Sequence, residues 1–154
     1  MKRLLMVIVP ALLMLAAVGG FARVGAFAQD DDDTTVVVSE DPELGPILTD
    51  AEGMTLYLFT NDTTEGKSNC NDDCAVNWPP FNPEGDLTLP EGVDGELTRI
   101  TRDDGSEMVA YNGIPLYYWI NDKAPGDTTG QGVGDVWYVV APGQEFGDPA
   151  TPEA

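Results

Sequence analysis

Acidic side chains are the residues of this chain with the most evident chemical capacity. Asp62 and Asp122 close two similar segments sixty residues apart, and Asp127 follows the second segment. A carboxylate at the end of a strand typically accepts backbone N–H groups and so caps a turn. Carboxylate oxygens are also calcium ligands, so Asp62, Asp122 and Asp127 are candidates for a calcium site, although no EF-hand spacing is present. A catalytic carboxylate pair of Asp62 and Asp122 has only their charge in its favour. The sequence favours turn caps and leaves a cation site as an alternative.

The chain contains two cysteines and no histidine. The lack of histidine excludes Ser-His-Asp and Cys-His nucleophile systems, histidine-dependent zinc enzymes and blue-copper centres. Cys70 and Cys74 are predicted to form a disulfide, since that is the default in an oxidising compartment. A disulfide that closes so short a loop fixes that loop and does not stabilise a whole domain. We therefore predict no catalytic residues, no enzymatic activity and no cofactor, and we keep a redox role of the cysteine pair as an alternative.

The two acidic segments belong to one aromatic motif, Tyr-x-(Phe/Trp/Tyr)-x-x-Asp, which occurs twice. Its residues are Tyr57, Phe59, Asp62, Tyr117, Trp119 and Asp122. In a strand the two aromatic residues of each copy share one face, and leucine, tyrosine or isoleucine occupy the other. This predicts strands buried on both sides, with the tyrosine hydroxyls bonded at the edge of the core. The alternative is an exposed aromatic platform that binds a sugar or a protein partner.

The internal copy predicts the architecture of the chain. Each half holds about fifty residues, too few to bury a core comfortably alone. We expect an all-β, pseudo-symmetric domain of two related β-hairpin repeats that share one core. The predicted strands cover residues 47–50, 54–60, 97–102, 107–111, 114–120 and 136–140, with one short helix within 71–78. The Asn112-Gly113 pair is the strongest hairpin signal, because both residues tolerate positive φ.

The ends of the chain have a different composition from this central part. Residues 1–28 have the basic start, apolar run and Ala-x-Ala end of a signal peptide, which we expect to be helical; an uncleaved membrane anchor is the alternative. Residues 29–43 are predicted to be an acidic, disordered linker and residues 143–154 a disordered tail. The domain is then expected over 44–142, with halves at about 44–81 and 96–142. This organisation predicts a protein that is secreted or lies in the extracytoplasmic cell envelope.

The net charge of the chain limits the classes of partner that it is expected to bind. There are 27 acidic and 7 basic residues, giving a net charge of −20. Nucleic acid and anionic lipid headgroups both require a basic surface, so neither is expected to bind. Contact with a membrane is expected only through an unprocessed N-terminus. High net charge also favours a soluble monomer.

Three stretches of the sequence carry a family resemblance. They are residues 53–59, residues 70–80 with the pattern Cys-x-x-x-Cys-Ala-x-x-Trp-Pro-Pro, and residues 111–119. Together with residues 125–132 and 136–142, they resemble the bacterial "secreted repeat of unknown function" family, also described as predicted lipoproteins with the aromatic motif above. The resemblance covers about residues 45–142 and implies an exported envelope protein with no assigned activity. The chain lacks the cysteine to which a lipid is attached in lipoproteins.

From these observations we expect an exported cell-envelope protein that is a non-enzymatic binding or structural module with an unidentified envelope partner or ligand. The alternatives are an envelope redox or electron-transfer accessory that uses Cys70 and Cys74, and a calcium-binding domain. The sequence does not identify the ligand. It also leaves open whether the aromatic motif is architectural or functional.

Overall fold

A computed structural model describes residues 34–149 of the chain. That part is mostly β, as predicted, and its strands form three small antiparallel sheets. In chain order the elements are β1 (Val36–Asp41), β2 (Gly45–Asp50), β3 (Tyr57–Phe59), α1 (Asp73–Asn77), β4 (Leu97–Thr101), β5 (Glu107–Tyr111), β6 (Ile114–Pro115), a 3-10 turn (Val133–Asp135) and β7 (Trp137–Val139). The predicted signal helix lies outside the described residues.

Each half begins with an antiparallel hairpin. β1 pairs with β2, and β4 pairs with β5, which continues into β6. The Asn112-Gly113 turn joins β5 to β6 with φ of 48° and 79°, as a two-residue hairpin turn requires. The turn at residues 51–53, between the predicted strands 47–50 and 54–60, is closed by a bond from Gly53 N to Asp50 O at 3.0 Å. We call residues 36–81 repeat 1 and residues 97–140 repeat 2.

The two motif strands meet at the centre of the molecule. Tyr57 N donates to Tyr117 O at 2.8 Å, and Tyr117 N donates to Tyr57 O at 2.9 Å. Further pairs of equivalent bonds link the repeats: Gly66 N to Gly113 O and Gly126 N to Gly53 O, and Phe81 N to Leu116 O and Val140 N to Leu56 O. Each of these bonds from repeat 1 to repeat 2 has a counterpart from repeat 2 to repeat 1. The repeats are therefore related by an approximate twofold axis.

The core is shared by both repeats. β3 of repeat 1 pairs with β7 of repeat 2, and Tyr118 N of repeat 2 donates to Pro79 O of repeat 1 at 2.8 Å. Each motif strand is thus completed by the last segment of the other repeat. Both clusters of buried side chains draw members from the two repeats. This confirms the prediction of two repeats with one core, since neither repeat can bury its motif strand alone.

The first predicted boundary is wrong. Residues 36–41, assigned from the sequence to the disordered linker, form β1, and Val36 is fully buried. The run of β-branched residues at 34–38 suits a strand, and pairing with β2 satisfies its backbone groups. β1 is the counterpart in repeat 1 of β4 in repeat 2. The acidic composition of residues 29–43 concealed this correspondence in the sequence. Residues 29–33 of the predicted linker lie outside the described residues.

The second predicted boundary is also wrong over residues 143–149. Gly143 N donates to the hydroxyl of Tyr111 at 2.8 Å, and the side-chain amide of Asn112 donates to Gln144 O at 2.9 Å. Phe146 then packs against the core. One aromatic side chain and the partners offered by the β5–β6 hairpin are enough to hold this segment in place. Residues 150–154 of the predicted tail lie outside the described residues.

Candidate functional site

The motif tyrosines and aspartates are paired across the two repeats. The Tyr57 hydroxyl donates to Asp122 Oδ2 at 2.6 Å, and the Tyr117 hydroxyl donates to Asp62 Oδ2 at 2.7 Å. Both tyrosines are completely buried, and the aspartates are 6% and 7% exposed. Each motif copy therefore supplies the donor for the other copy's acceptor.

The second oxygen of each aspartate binds backbone. Asn69 N donates to Asp62 Oδ1 at 2.6 Å, and Thr129 N donates to Asp122 Oδ1 at 3.0 Å. This is the turn-capping role expected from the sequence. The partner tyrosine of the opposite repeat was not anticipated. The sequence does contain a clue to this pairing. A tyrosine hydroxyl that is buried needs a hydrogen-bond partner, and each copy of the motif carries an aspartate that can accept such a bond.

Burial dominates the electrostatics of this cluster. It raises the pKa of Asp62 to about 6, against the opposing effects of hydrogen bonds from Tyr117 and Asn69 and of the charge on Arg102. Burial raises the pKa of the Tyr57 hydroxyl far above its usual range, and the hydrogen bond to Asp122 adds to that shift. Burial also raises the pKa of the Tyr117 hydroxyl far above its usual range, and the charge of Asp62 raises it further. Both tyrosines consequently remain neutral donors at any physiological pH.

Arg102 adjoins the Asp62 end of the cluster. It is 6% exposed, and its Nη2 donates to the backbone oxygen of Cys70 at 2.6 Å. Its Nε is buried and has no hydrogen-bond partner within residues 34–149. Cys70 and Cys74 form the predicted disulfide, and α1 starts within its loop. The disulfide therefore stabilises the loop whose backbone oxygen, that of Cys70, binds Arg102.

The remaining motif aromatics form the ends of a stack of four rings. Trp78 and Trp137, equivalent residues of the two repeats, stack at the centre with ring centroids 3.9 Å apart. Phe59 stacks on Trp137 at 4.2 Å, and Trp119 stacks on Trp78 at 4.1 Å. Phe59 and Trp119 are half-buried, whereas Tyr57 and Tyr117 are buried. The four motif aromatics therefore do not form one open platform.

Two clefts flank the motif strands, one beside Leu58 in repeat 1 and one beside its counterpart Tyr118 in repeat 2. The cleft beside Tyr118 has a volume of about 770 Å³, and we call it the acidic cleft because its lining includes four carboxylates. The cleft beside Leu58 has a volume of about 290 Å³ and is mostly apolar, and we call it the apolar cleft. The lining of the acidic cleft includes the carboxylates of Asp50, Glu52, Glu84 and Asp86 together with Thr35, Phe81, Thr88 and Tyr118. The apolar cleft is lined by Leu58, Phe59, Asp62, Ile114, Pro115 and Phe146. The same backbone frame thus supports two differently lined concave surfaces.

The three calcium candidates are not brought together as a ligand set. Asp62 and Asp122 are bound to different tyrosines, and Asp127 Oδ2 accepts the backbone N–H groups of Lys123 and Ala124 at 2.7 Å and 2.9 Å. Within residues 34–149, no group of three or more His, Cys, Asp or Glu side chains is arranged to hold a metal ion.

The sequence comparisons agree with this duplicated arrangement. The profile of the family described as "secreted repeat of unknown function" matches residues 38–82 and 98–141, one copy for each repeat. No curated protein and no solved structure matches the chain. The described residues include no helix of the length and apolar character needed to cross a membrane. The family description places the chain outside the cytoplasm. Since the profile covers more than half of the chain in two copies, the protein belongs to the family of secreted repeats of unknown function.

Proposed function

We propose that this protein is a non-enzymatic binding module of the cell envelope, in which the aromatic motif forms the scaffold and the apolar cleft beside Leu58 binds the ligand. The observation that carries the proposal is the reciprocal pairing of Tyr57 with Asp122 and of Tyr117 with Asp62. These hydroxyls and carboxylates are the repeated groups with chemical capacity. Each is buried and already bonded, so none is available to a substrate.

The disulfide is more consistent with a structural role than with a redox role. Cys70 is fully buried, and its carbonyl oxygen is bound by the guanidinium of Arg102. A redox centre requires an accessible thiolate in electropositive surroundings. The buried sulfur and the anchored carbonyl instead favour a fixed structural link.

The apolar cleft has the composition of a small-molecule site. Such sites are concave and mostly apolar, with a few convergent polar groups. Its volume of about 290 Å³ suits a compact ligand of two or three rings. Asp62 also borders the cleft beside Leu58 and Phe59, but both of its oxygens are bonded within the protein, so the apolar side chains provide the binding surface. The acidic cleft is less suitable for an apolar ligand, because Glu52, Glu84 and Asp86 are exposed and hydrated.

The proposal is tested with N-phenyl-1-naphthylamine, an uncharged aromatic probe that the acidic surface does not repel. We expect a saturable rise in probe fluorescence with one site per chain. Thr63→Trp places a large ring at the exposed rim of the apolar cleft and is expected to abolish the signal. Ala51→Trp makes the same kind of change at the exposed rim of the acidic cleft and is the matched control.

Two results would count against the proposal. One is the absence of saturable binding to the unmodified protein. The other is unchanged binding in the Thr63→Trp variant at an unchanged melting temperature, which would show that the probe binds elsewhere on the protein.

A further inference from the structure

Two large hydrophobic side chains remain exposed within residues 34–149, and they are neighbours. Val76 on α1 is 64% exposed, and Ile120 at the end of the second motif is 43% exposed. The backbone N–H of Ile120 donates to the oxygen of Asn77, the residue after Val76, at 3.0 Å. Trp119, next to Ile120, is half-buried and forms one end of the ring stack. We call Val76, Trp119 and Ile120 the apolar patch.

The opposite end of the molecule shows that the fold does not require this exposure. There the equivalent backbone bond runs from Thr60 N to Val136 O at 2.9 Å. Thr60 takes the place of Ile120, and Asp135, which precedes Val136, takes the place of Val76. The same frame is therefore built with polar residues in one half and apolar residues in the other. An apolar pair that folding does not need is a candidate for contact with a partner.

The surroundings of the patch indicate the charge of that partner. Asp73 precedes Val76 by three residues within α1 and so lies on its side of the helix, and Asp72 is the residue immediately before α1; both are exposed. The basic side chain next to the patch, Lys123, directs its ammonium group to the backbone oxygen of Ile120. The chain as a whole carries a net charge of −20. Charge complementarity therefore favours a basic partner and opposes a second copy of this acidic chain.

We propose that the apolar patch is the docking surface for a basic segment of a partner protein, which inserts an apolar side chain between Val76 and Ile120 and places its positive charges beside Asp72 and Asp73. The disulfide and the stack of Trp119 on Trp78 keep the surface rigid, which lowers the entropic cost of docking.

The test uses a fluorescent synthetic peptide of leucine and lysine that forms a basic amphipathic helix. The variant Val76→Asp with Ile120→Thr gives the patch the residues found at the other end of the molecule. It also adds one negative charge, so non-specific attraction of the peptide becomes stronger. We expect affinity to fall about tenfold or more, from the loss of two buried apolar contacts. The melting temperature should stay close to that of the parent protein, because both side chains are exposed.

Two further variants separate the contributions. Thr60→Asp adds the same charge at the other end of the ring stack and should leave peptide affinity unchanged. Asp72→Asn with Asp73→Asn should weaken binding in low salt and have little effect in high salt. Unchanged affinity in the Val76→Asp, Ile120→Thr variant would overturn the proposal, as would failure of the peptide to bind the parent protein. Concentration-dependent dimers of the parent protein that this variant abolishes would also overturn it, by assigning the patch to self-association.

Discussion

Repeat 1 closes the loop after its motif with the disulfide of Cys70, whereas repeat 2 has Gly130 at the equivalent place. The preceding residues, Asn69 and Thr129, play the same part in both loops by donating a backbone N–H to a motif aspartate. A Cβ atom on Gly130 would lie 2.8 Å from the ring of Tyr57 and 2.9 Å from the ring of Trp78. The loop of repeat 2 is thus held by close packing, and the loop of repeat 1 by a covalent bond.

The charged residues near the two motif aspartates, Asp62 and Asp122, also differ between the repeats. Arg102 follows β4 and approaches the loop near Asp62, where it binds the oxygen of Cys70. The equivalent residue at the end of β1 is Asp41, whose Oδ2 accepts from the Thr128 hydroxyl at 3.4 Å. One place in the duplicated fold therefore carries opposite charges. The comparison teaches that the paired tyrosines and aspartates form the symmetric part of the molecule, and that each loop around them is stabilised independently.

The largest expected effect is at the closely packed loop. Gly130→Val should lower the free energy of unfolding by about 3 kcal/mol or more, because its side chain overlaps two rings that are themselves buried. Chemical denaturation measures this. Gly126→Ala is the control, since its Cβ meets nothing within 4 Å and only its positive φ is strained, at a cost of about 1 kcal/mol. Equal effects of the two substitutions would show that close packing does not hold this loop.

Removal of a paired hydroxyl should have the next largest effect. Tyr57→Phe and Tyr117→Phe each leave a buried carboxylate without one of its donors, which should cost about 2 kcal/mol of unfolding free energy. A double-mutant cycle that combines Tyr57→Phe with Asp122→Ala removes both partners of the bond and measures the coupling directly. The Tyr138 hydroxyl makes no hydrogen bond within the described residues, so Tyr138→Phe should change stability by no more than about 0.5 kcal/mol. A coupling energy near zero would contradict the reciprocal pairing.

The smallest effect is a dependence of stability on pH through Asp62. Burial raises the pKa of Asp62 from its ordinary value of 3.8 to about 6, so the folded protein holds the proton more tightly than the unfolded chain does. The stabilisation from this proton is complete below the ordinary pKa and is lost as the pH rises through the folded value. Relative to Asp62→Asn, the unmodified protein should therefore lose stability between about pH 4 and pH 6. Denaturation curves of both proteins across this range measure the difference, and parallel pH profiles would argue against it.

Much of the architecture follows from local patterns in the sequence. The β5–β6 turn was predictable because Asn112 and Gly113 both tolerate positive φ, and the duplication was visible in the spacing of the motif. The disulfide followed from two cysteines in an exported chain. In contrast, β1 and the segment of Phe146 were assigned to disordered regions, because their acidic composition hides the few apolar residues that pack on the core.

The sequence by itself determined that two copies of one β unit share a core, since neither copy carries enough apolar surface to fold alone. Only the tertiary structure decided that the tyrosine of each copy binds the aspartate of the other. A hydrogen bond between side chains sixty residues apart depends on how the motif strands cross, and each copy is compatible with a partner from either half. The same holds for the clefts and for the patch of Val76 and Ile120, because exposure is a property of the packed molecule and the order of residues does not specify it.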